Sequence, residues 1–535
     1  MAERVPKAGD LLRWAAVGFH TAALLAALVV PAYAILDAAG AFFGAGHSAS
    51  LTGVLNVRRW LTLLENTGIV CGVAGLTAVG VGTCLGLLTA RTDMPGRRAL
   101  VGAALLGACV PVYVSAVFFL SLAPRLLSIR FPGLCGLRYD LVCAGLCGLL
   151  YGLVYAPLAT LVLGTAFRAA GRELEELALL DAGRATVLLR VTLPQAAWGI
   201  VAVVMIVTLF VATDFTIADL LIVRTFSEEC YTQYQLDHGR VGPLLTSVPV
   251  MLVLAVLLAV VERRYRLLGE DSPWEAGAKP PTLALRRWRI PAGVAAGALV
   301  AAGAGTLLVP LVLRLRPLAG LGAAVLNLRH ELWTTTALAA LGATLVVLPA
   351  GGLAWAIARG ARLRWLAAAA IVLLLAIPAP TVGISLTALL NRPGVLGAVY
   401  DSPVVVAIGY FVRFLPIGVL LLIPAVRRTP CELEWAARVD GCDWLGVHRH
   451  VRWPALRRDA ILAWLVVVIL CFGEVGATML VVPPGWETTA IRAFTLMHFG
   501  VYRDLAVLAL LSIGCILLPW GGLAWLLARR RTCES

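Results

Sequence analysis

"EELALLDAGRATVLLRVTLPQ" runs from Glu175 to Gln195, a polar and charged segment set between long apolar runs. The second half of the chain holds a counterpart, "ELEWAARVDGCDWLGVHRHVRWPA", from Glu432 to Ala455. Both sit in a chain that is 60% hydrophobic and only 14% charged over 535 residues, with a mean hydropathy of +0.90. Soluble domains carry about 25% charged residues. Apolar runs of more than ~18 residues recur throughout, which reads as a polytopic membrane protein. Backbone groups in lipid must be satisfied internally, and the ~10-residue alternation of a membrane barrel is missing, so the spans are helical.

The sequence predicts an all-α protein of about twelve spans, near 12–36, 66–90, 98–122, 141–167, 196–223, 241–262, 290–313, 333–358, 365–390, 403–426, 460–482 and 504–528. An even number puts both termini on one side. Most of the 44 Lys and Arg then fall in cytoplasmic segments if the termini are cytoplasmic, as the positive-inside rule requires. The net charge of +14 therefore follows from topology and does not argue for nucleic acid. The first apolar run is longer than a cleavable signal core and reads as a retained span. Twelve cysteines form no C-x-x-C pair; Cys143 and Cys147, inside a span, read as packing residues. His448 and His450 read as part of a solvated basic face, and no metal site or cofactor is expected.

The chain repeats itself. Tyr151, Tyr155 and Pro157 meet Tyr410, Phe414 and Pro416 at an offset of 259, and Glu173 meets Glu432 at the same offset. Further on, Pro194 meets Pro454 at 260, so one residue is inserted in the second loop. The expected organisation is a transmembrane repeat over 1–270, a Pro-rich basic linker over 271–289 ("SPWEAGAKPPTLALRRWR", Ser272 to Arg289), and a parallel repeat over 290–535. In each repeat the polar segment falls between the fourth and fifth spans. Leu174, Leu177 and Ala178 share one face of a short helix, which Gly183 is placed to close as a C-terminal cap, while Pro194 suits the first turn of the next span. Such a helix could dock a cytoplasmic partner or lie on lipid; the acidic "ELEEL" disfavours an anionic leaflet.

At these residues the sequence resembles ABC-importer permeases, whose E-A-A…G…I-x-L-P loop forms a short helix that docks on the ATPase subunit. Counted back from Pro194, the family Glu falls on Glu175, the Ile on Val191 and the Leu-Pro on Leu193 and Pro194; the Gly position holds Asp181, with Gly183 two residues on. In the second copy Ala436, Ala437, Gly441, Val451 and Pro454 fit, the Glu is displaced by one to Glu434, and Trp453 replaces the Leu. The match is most similar to the fused two-domain permeases of ferric-iron importers, relatives of thiamine permeases, carried mainly by "FGEVGATMLVVPPGWETTAIRAFTLMHFG" from Phe472 to Gly500. The resemblance implies a multi-pass inner-membrane subunit, two copies of a separate ABC ATPase, and an extracytoplasmic solute-binding protein. Lys7 and Lys279 are the chain's two lysines and neither follows a Gly, so no G-x-x-x-x-G-K-[ST] phosphate loop is present and no enzyme activity is expected. A secondary transporter or a membrane-embedded enzyme are the other classes left open.

Three charged residues within the spans stand out. Asp214 lies 20 residues after Pro194 and Glu474 lies 20 after Pro454, so they are equivalent; Arg413 stands where the first repeat has Val154. Intramembrane charges are costly and usually face a bundle interior or a wet cavity. All three are candidates for lining the translocation pathway. The alternative reading is that the acids cap broken helix ends or pair with Arg413.

Overall fold

The computed structural model describes residues 8–44, 57–115, 137–169, 172–237, 241–267, 284–316, 321–360 and 364–533. It is an all-α polytopic membrane protein. In the first half the main helices are α1 (Ala8–Gly44), α2 (Val57–Arg91), α3 (Arg97–Ala108), α4 (Leu137–Ala169), α5 (Arg172–Asp181), α6 (Ala197–Thr213), α7 (Phe226–Asp237) and α8 (Val241–Leu267). In the second they are α9 (Arg289–Arg314), α10 (Arg329–Ala358), α11 (Arg364–Leu375), α12 (Ala379–Leu390), α13 (Val404–Arg428), α14 (Cys431–Val439), α15 (Trp453–Phe472), α16 (Thr489–His498) and α17 (Tyr502–Cys533). The first part of the linker expected at 271–289 lies outside the described residues, which resume at 284.

The sequence reading gave twelve continuous spans; among the described residues seven helices are long and apolar enough to cross a membrane, or nine counting two bent pairs. Part of the difference lies in broken helices, although the expected span 290–313 is one unbroken helix, α9. α11 and α12 meet at 104° and together occupy the expected span 365–390. Pro378 takes an extended ψ of 149° there and starts a new helix, as a residue without a donor N–H can. The expected span 98–122 is not one helix either: α3 ends at Ala108, just before Pro111, and 116–136 lie outside the described residues. The span expected at 196–223 stops at Thr213, where Asp214 turns extended (ψ 146°). The one expected at 460–482 stops at Phe472.

Two large hydrophobic cores hold the fold, with two small satellites, and each large core borrows from the other half. One joins α2, α4 and α6 to Ala490, Phe494 and Leu505–Ala509 of α16 and α17. The other joins α10 to α13 and α15 to Leu24, Ala27 and Val30 of α1. So α1 packs on second-half helices, chiefly α12, while α9 packs on α3 and α17. Each half thus carries the first helix of the other against its flank.

The central crossings of the two halves are built alike. α2 packs along α4, and α10 along α13. A Cβ on Gly82 of α2 would lie 2.7 Å from that of Ala159 on α4; a Cβ on Gly418 of α13 would lie 2.7 Å from Val346 and 3.3 Å from Ala350 on α10. Both crossings use glycines on each partner, Gly82 and Gly86 of α2 with Gly148 and Gly152 of α4 in the first and Gly342 of α10 with Gly418 of α13 in the second, the usual device where helices associate in lipid.

Candidate functional site

The two polar segments have the same architecture. In the first, α5 is followed by a turn of helix at Arg184–Val187, a π-helical stretch at Leu188–Thr192 and the start of the next span at Leu193. In the second, α14 is followed by Trp444–Val447, a π-helical stretch at His448–Arg452 and α15 from Trp453. π segments are rare and frequent at functional sites; here they recur at equivalent positions. Pro194 and Pro454 sit in the first turn of the helices that follow, as the sequence predicted. Gly183 does not act as a left-handed cap. It stands where the second segment has Asp443: the Gly183 carbonyl accepts from Val187 N (3.1 Å) and that of Asp443 from Val447 N (3.0 Å). Gly441 takes the left-handed conformation instead, at φ 87°.

Glu175 and Glu434 both turn inward, 1% and 7% exposed. They are true equivalents at an offset of 259, so the displacement of Glu434 seen when counting back from Pro454 reflects the residue inserted around Gly441. Thr192 Oγ1 donates to Glu175 Oε1 at 2.7 Å, and Arg452, at the position of Thr192, donates to Glu434 Oε2 at 2.7 Å. The other Glu175 oxygen is paired with Arg91 at the end of α2, which also donates to the carbonyl of Phe167 (3.0 Å). In the second half Arg359 binds the equivalent carbonyl, Val426, at 3.2 Å, and also the Thr429 carbonyl and Cys431 Sγ. The guanidiniums of Arg359 and Arg452 both lie over the Trp355 ring. Glu175 is therefore a fastening of the loop and is not on its outer surface.

The segments present large apolar side chains outward, beside the exposed charges of Glu176, Asp181, Glu432 and Arg438. Leu174, Leu177 and Leu180 of α5 are 61%, 61% and 82% exposed, and on α14 Leu433, Trp435 and Val439 are exposed. Ala178 and Ala437 are half-buried, and Ala436 is exposed. Val191, Leu193 and Val451 are half-buried, while Pro194, Trp453 and Pro454 are exposed.

Asp214, Glu474 and Arg413 come together where the helices break. Asp214 Oδ1 accepts from Thr216 N (3.1 Å) and Thr216 Oγ1 (2.7 Å), and its Oδ2 accepts from Tyr151 OH (3.3 Å). The Tyr151 oxygen in turn accepts from Ile217 N at 3.2 Å. Glu474 Oε1 accepts from Ala477 N at 2.9 Å, and its Oε2 from Arg413 Nε at 2.8 Å. Both acids thus cap the backbone after a break, and Glu474 is also paired with Arg413. Gly476 allows the close contact: a Cβ there would lie 2.5 Å from that of Ala379 and 3.4 Å from the Phe215 ring.

Beyond the breaks the halves again match. Phe226 N, starting α7, donates to Thr67 Oγ1 (3.2 Å), and Thr489 N, starting α16, donates to Thr335 Oγ1 (2.7 Å). Arg59 of α2 pairs with Glu229 of α7, whereas Glu331 of α10 pairs with Arg492 of α16, the charges reversed. Sequence reading missed these residues, together with Arg91, Thr192 and Arg452. The shared 268-residue offset of Thr67 with Thr335 and of Arg91 with Arg359 would have hinted at two of these pairs.

No family model matches the chain. Over 94 residues it is 33% identical to PhnV of Salmonella typhimurium, provisionally named a 2-aminoethylphosphonate transport system permease protein; the match covers 17% of this chain and 35% of that protein. The proteins of the same name in Salmonella choleraesuis and Salmonella paratyphi A are 33% and 32% identical over the same coverage. The chain thus spans about a third of the length of these relatives.

Proposed function

We propose that this chain is the permease subunit of a binding-protein-dependent ABC importer of the inner membrane. Its two transmembrane repeats would form the solute path, with both termini cytoplasmic. The observation that carries this reading is the duplicated segment: an outward apolar face, an inward glutamate and a π joint, each leading into the interrupted span that bears Asp214 or Glu474. Two such faces suit two copies of one ATPase subunit. Its closure on ATP would move α5 and α14 together, and the π joints would pass that motion to the central breaks. The likeness to a transport-system permease supports the same reading. Asp214, Glu474 and Arg413 would then lie at the centre of the path.

For the cargo two readings have support. The stretch Phe472–Gly500 resembles ferric-iron permeases, with thiamine next. The similarity to a 2-aminoethylphosphonate permease of Salmonella favours a small phosphonate. The phosphonate has the measured similarity behind it and is our first choice.

The test is reconstitution. The chain is co-expressed with its genomic neighbours encoding an ATPase and a secreted binding protein, and uptake into proteoliposomes is measured with 2-aminoethylphosphonate, ferric iron and thiamine. Co-purification of the ATPase and ATP-dependent uptake of one of them are expected. Uptake driven by an ion gradient without ATPase association would instead establish a secondary transporter.

A further inference from the structure

Arg413 lies in the middle of α13 with its side chain only 11% exposed. Its guanidinium donates three hydrogen bonds, and each goes to a different interrupted span. Nε reaches Glu474 Oε2 at 2.8 Å, just past the end of α15. One terminal nitrogen reaches the carbonyl of Ile377 at 3.2 Å, in the bend between α11 and α12. The other reaches Thr213 Oγ1 at 3.1 Å, on the last residue of α6. The first two acceptors belong to the same half as Arg413; Thr213 belongs to the other. Asp214, beside Thr213, takes no part, since its oxygens are held by Thr216 and Tyr151.

These bonds differ in kind. The carboxylate of Glu474 neutralises the guanidinium, and its second oxygen is fixed by Ala477 N. A cation so paired can stay in the membrane interior, where an unpaired one would be expensive. Thr213 contributes a neutral hydroxyl. That hydroxyl donates its own proton to the Leu209 carbonyl at 2.7 Å, so toward Arg413 it is an acceptor only. Losing the Thr213 contact leaves Arg413 neutralised and leaves a hydroxyl oxygen that water can satisfy. Losing the Glu474 contact would strand a buried charge.

We propose that the Arg413–Thr213 hydrogen bond is the releasable latch of the central passage. The proposal rests on the permease reading above. Arg413 travels with the second half, tethered by Glu474 and Ile377, and closes the passage by engaging Thr213 of the first. Parting of the halves breaks this bond and retains the ion pair, so the passage opens without exposing a bare cation.

The experiment uses the full complex reconstituted with its ATPase and free of nucleotide, in a cysteine-free background carrying Val154→Cys as reporter. Val154 is half-buried on α4, at the position equivalent to Arg413. Labelling by a membrane-impermeant thiol reagent and basal ATPase activity are compared for wild type, Thr213→Val and Thr213→Ser. Thr213→Val is expected to raise both several-fold, because valine fills the same space without an acceptor; Thr213→Ser restores the acceptor and is expected to match wild type. Unchanged labelling and ATPase activity in Thr213→Val would overturn the latch, and so would equal increases in the valine and serine variants, which would assign the effect to packing. Arg413→Gln is a second probe, expected to raise labelling at least as much. Failure of the ATPase to bind the wild-type chain would count against the permease reading; normal binding and uptake with no response at Thr213 would count against the latch alone.

Discussion

Arg91 and Glu175 form an ion pair closed to solvent at both ends, the side chains 3% and 2% exposed. The equivalent glutamate, Glu434, is held instead by Arg452 from its own segment, with side chains 10% and 17% exposed. The first polar segment is thereby tied to the end of α2, the second to the π stretch that follows it. Removing one partner of a buried pair costs about 3–5 kcal/mol, because the other charge is left uncompensated, and the somewhat greater exposure of Glu434 and Arg452 softens that cost. Arg91→Ala should therefore lower the thermal stability of the purified chain more than Arg452→Ala. Melting in detergent, followed by tryptophan fluorescence, checks the order.

The outward leucines behave oppositely. Leu177 and Leu180 touch little of their own chain, so Leu177→Ser with Leu180→Ser should change stability by no more than about 0.5 kcal/mol per site. The same double variant should lose most of its association with the ATPase. Co-purification beside a melting curve separates the effects; a variant that melts normally and still binds would remove α5 from the docking surface.

Tyr151 and Tyr410 are equivalent, fully buried and differently employed. The Tyr151 hydroxyl serves Asp214 and Ile217 N, so Tyr151→Phe strips a partner from each and should cost about 1–3 kcal/mol. The Tyr410 hydroxyl faces the Thr478 hydroxyl without a well-formed hydrogen bond, and Tyr410→Phe should cost under about 1 kcal/mol. Denaturant melts of the two variants should differ accordingly.

Ile222 sits in the left-handed region at φ 56° and is 89% exposed. A β-branched residue is strained there, and the position three residues further along in the second repeat's numbering, Gly485, has φ 84° without that strain. Ile222→Gly should stabilise the chain by about 1 kcal/mol. A raised melting temperature with unchanged uptake would bear this out, and a lowered one would count against it.

Much of this was legible beforehand because it is periodic. The 259-residue offset and the matched prolines locate both polar segments, and the spacing from Pro194 and Pro454 marks the two acids at the breaks. The breaks were less visible. Hydropathy averages over "AIPAPTV" and "FVATDFTIAD" and returns continuous spans, although Pro378 and Pro380 mark one interruption and Asp214 another. The inward turn of Glu175 was hidden for a different reason: its partner Arg91 lies 84 residues away and reads in sequence as one more cation at a span end. The exchange of α1 and α9 between halves left no local trace at all, since a lipid-facing helix has the same composition whichever neighbour it leans on.

The π stretches also bear on which mutations these segments can survive. From the turn after α5 or α14 to the proline, both halves count the same residues, Arg184 to Pro194 and Trp444 to Pro454. Their one-residue difference falls earlier, in the flexible turn at Gly441. A residue gained or lost within the π stretch would swing everything before it by roughly 100° about the helix axis and slide it by about 1.5 Å, turning the leucine face away from its partner. Side chains here are free to diverge, as Thr192 and Arg452 have done. Chain length is not.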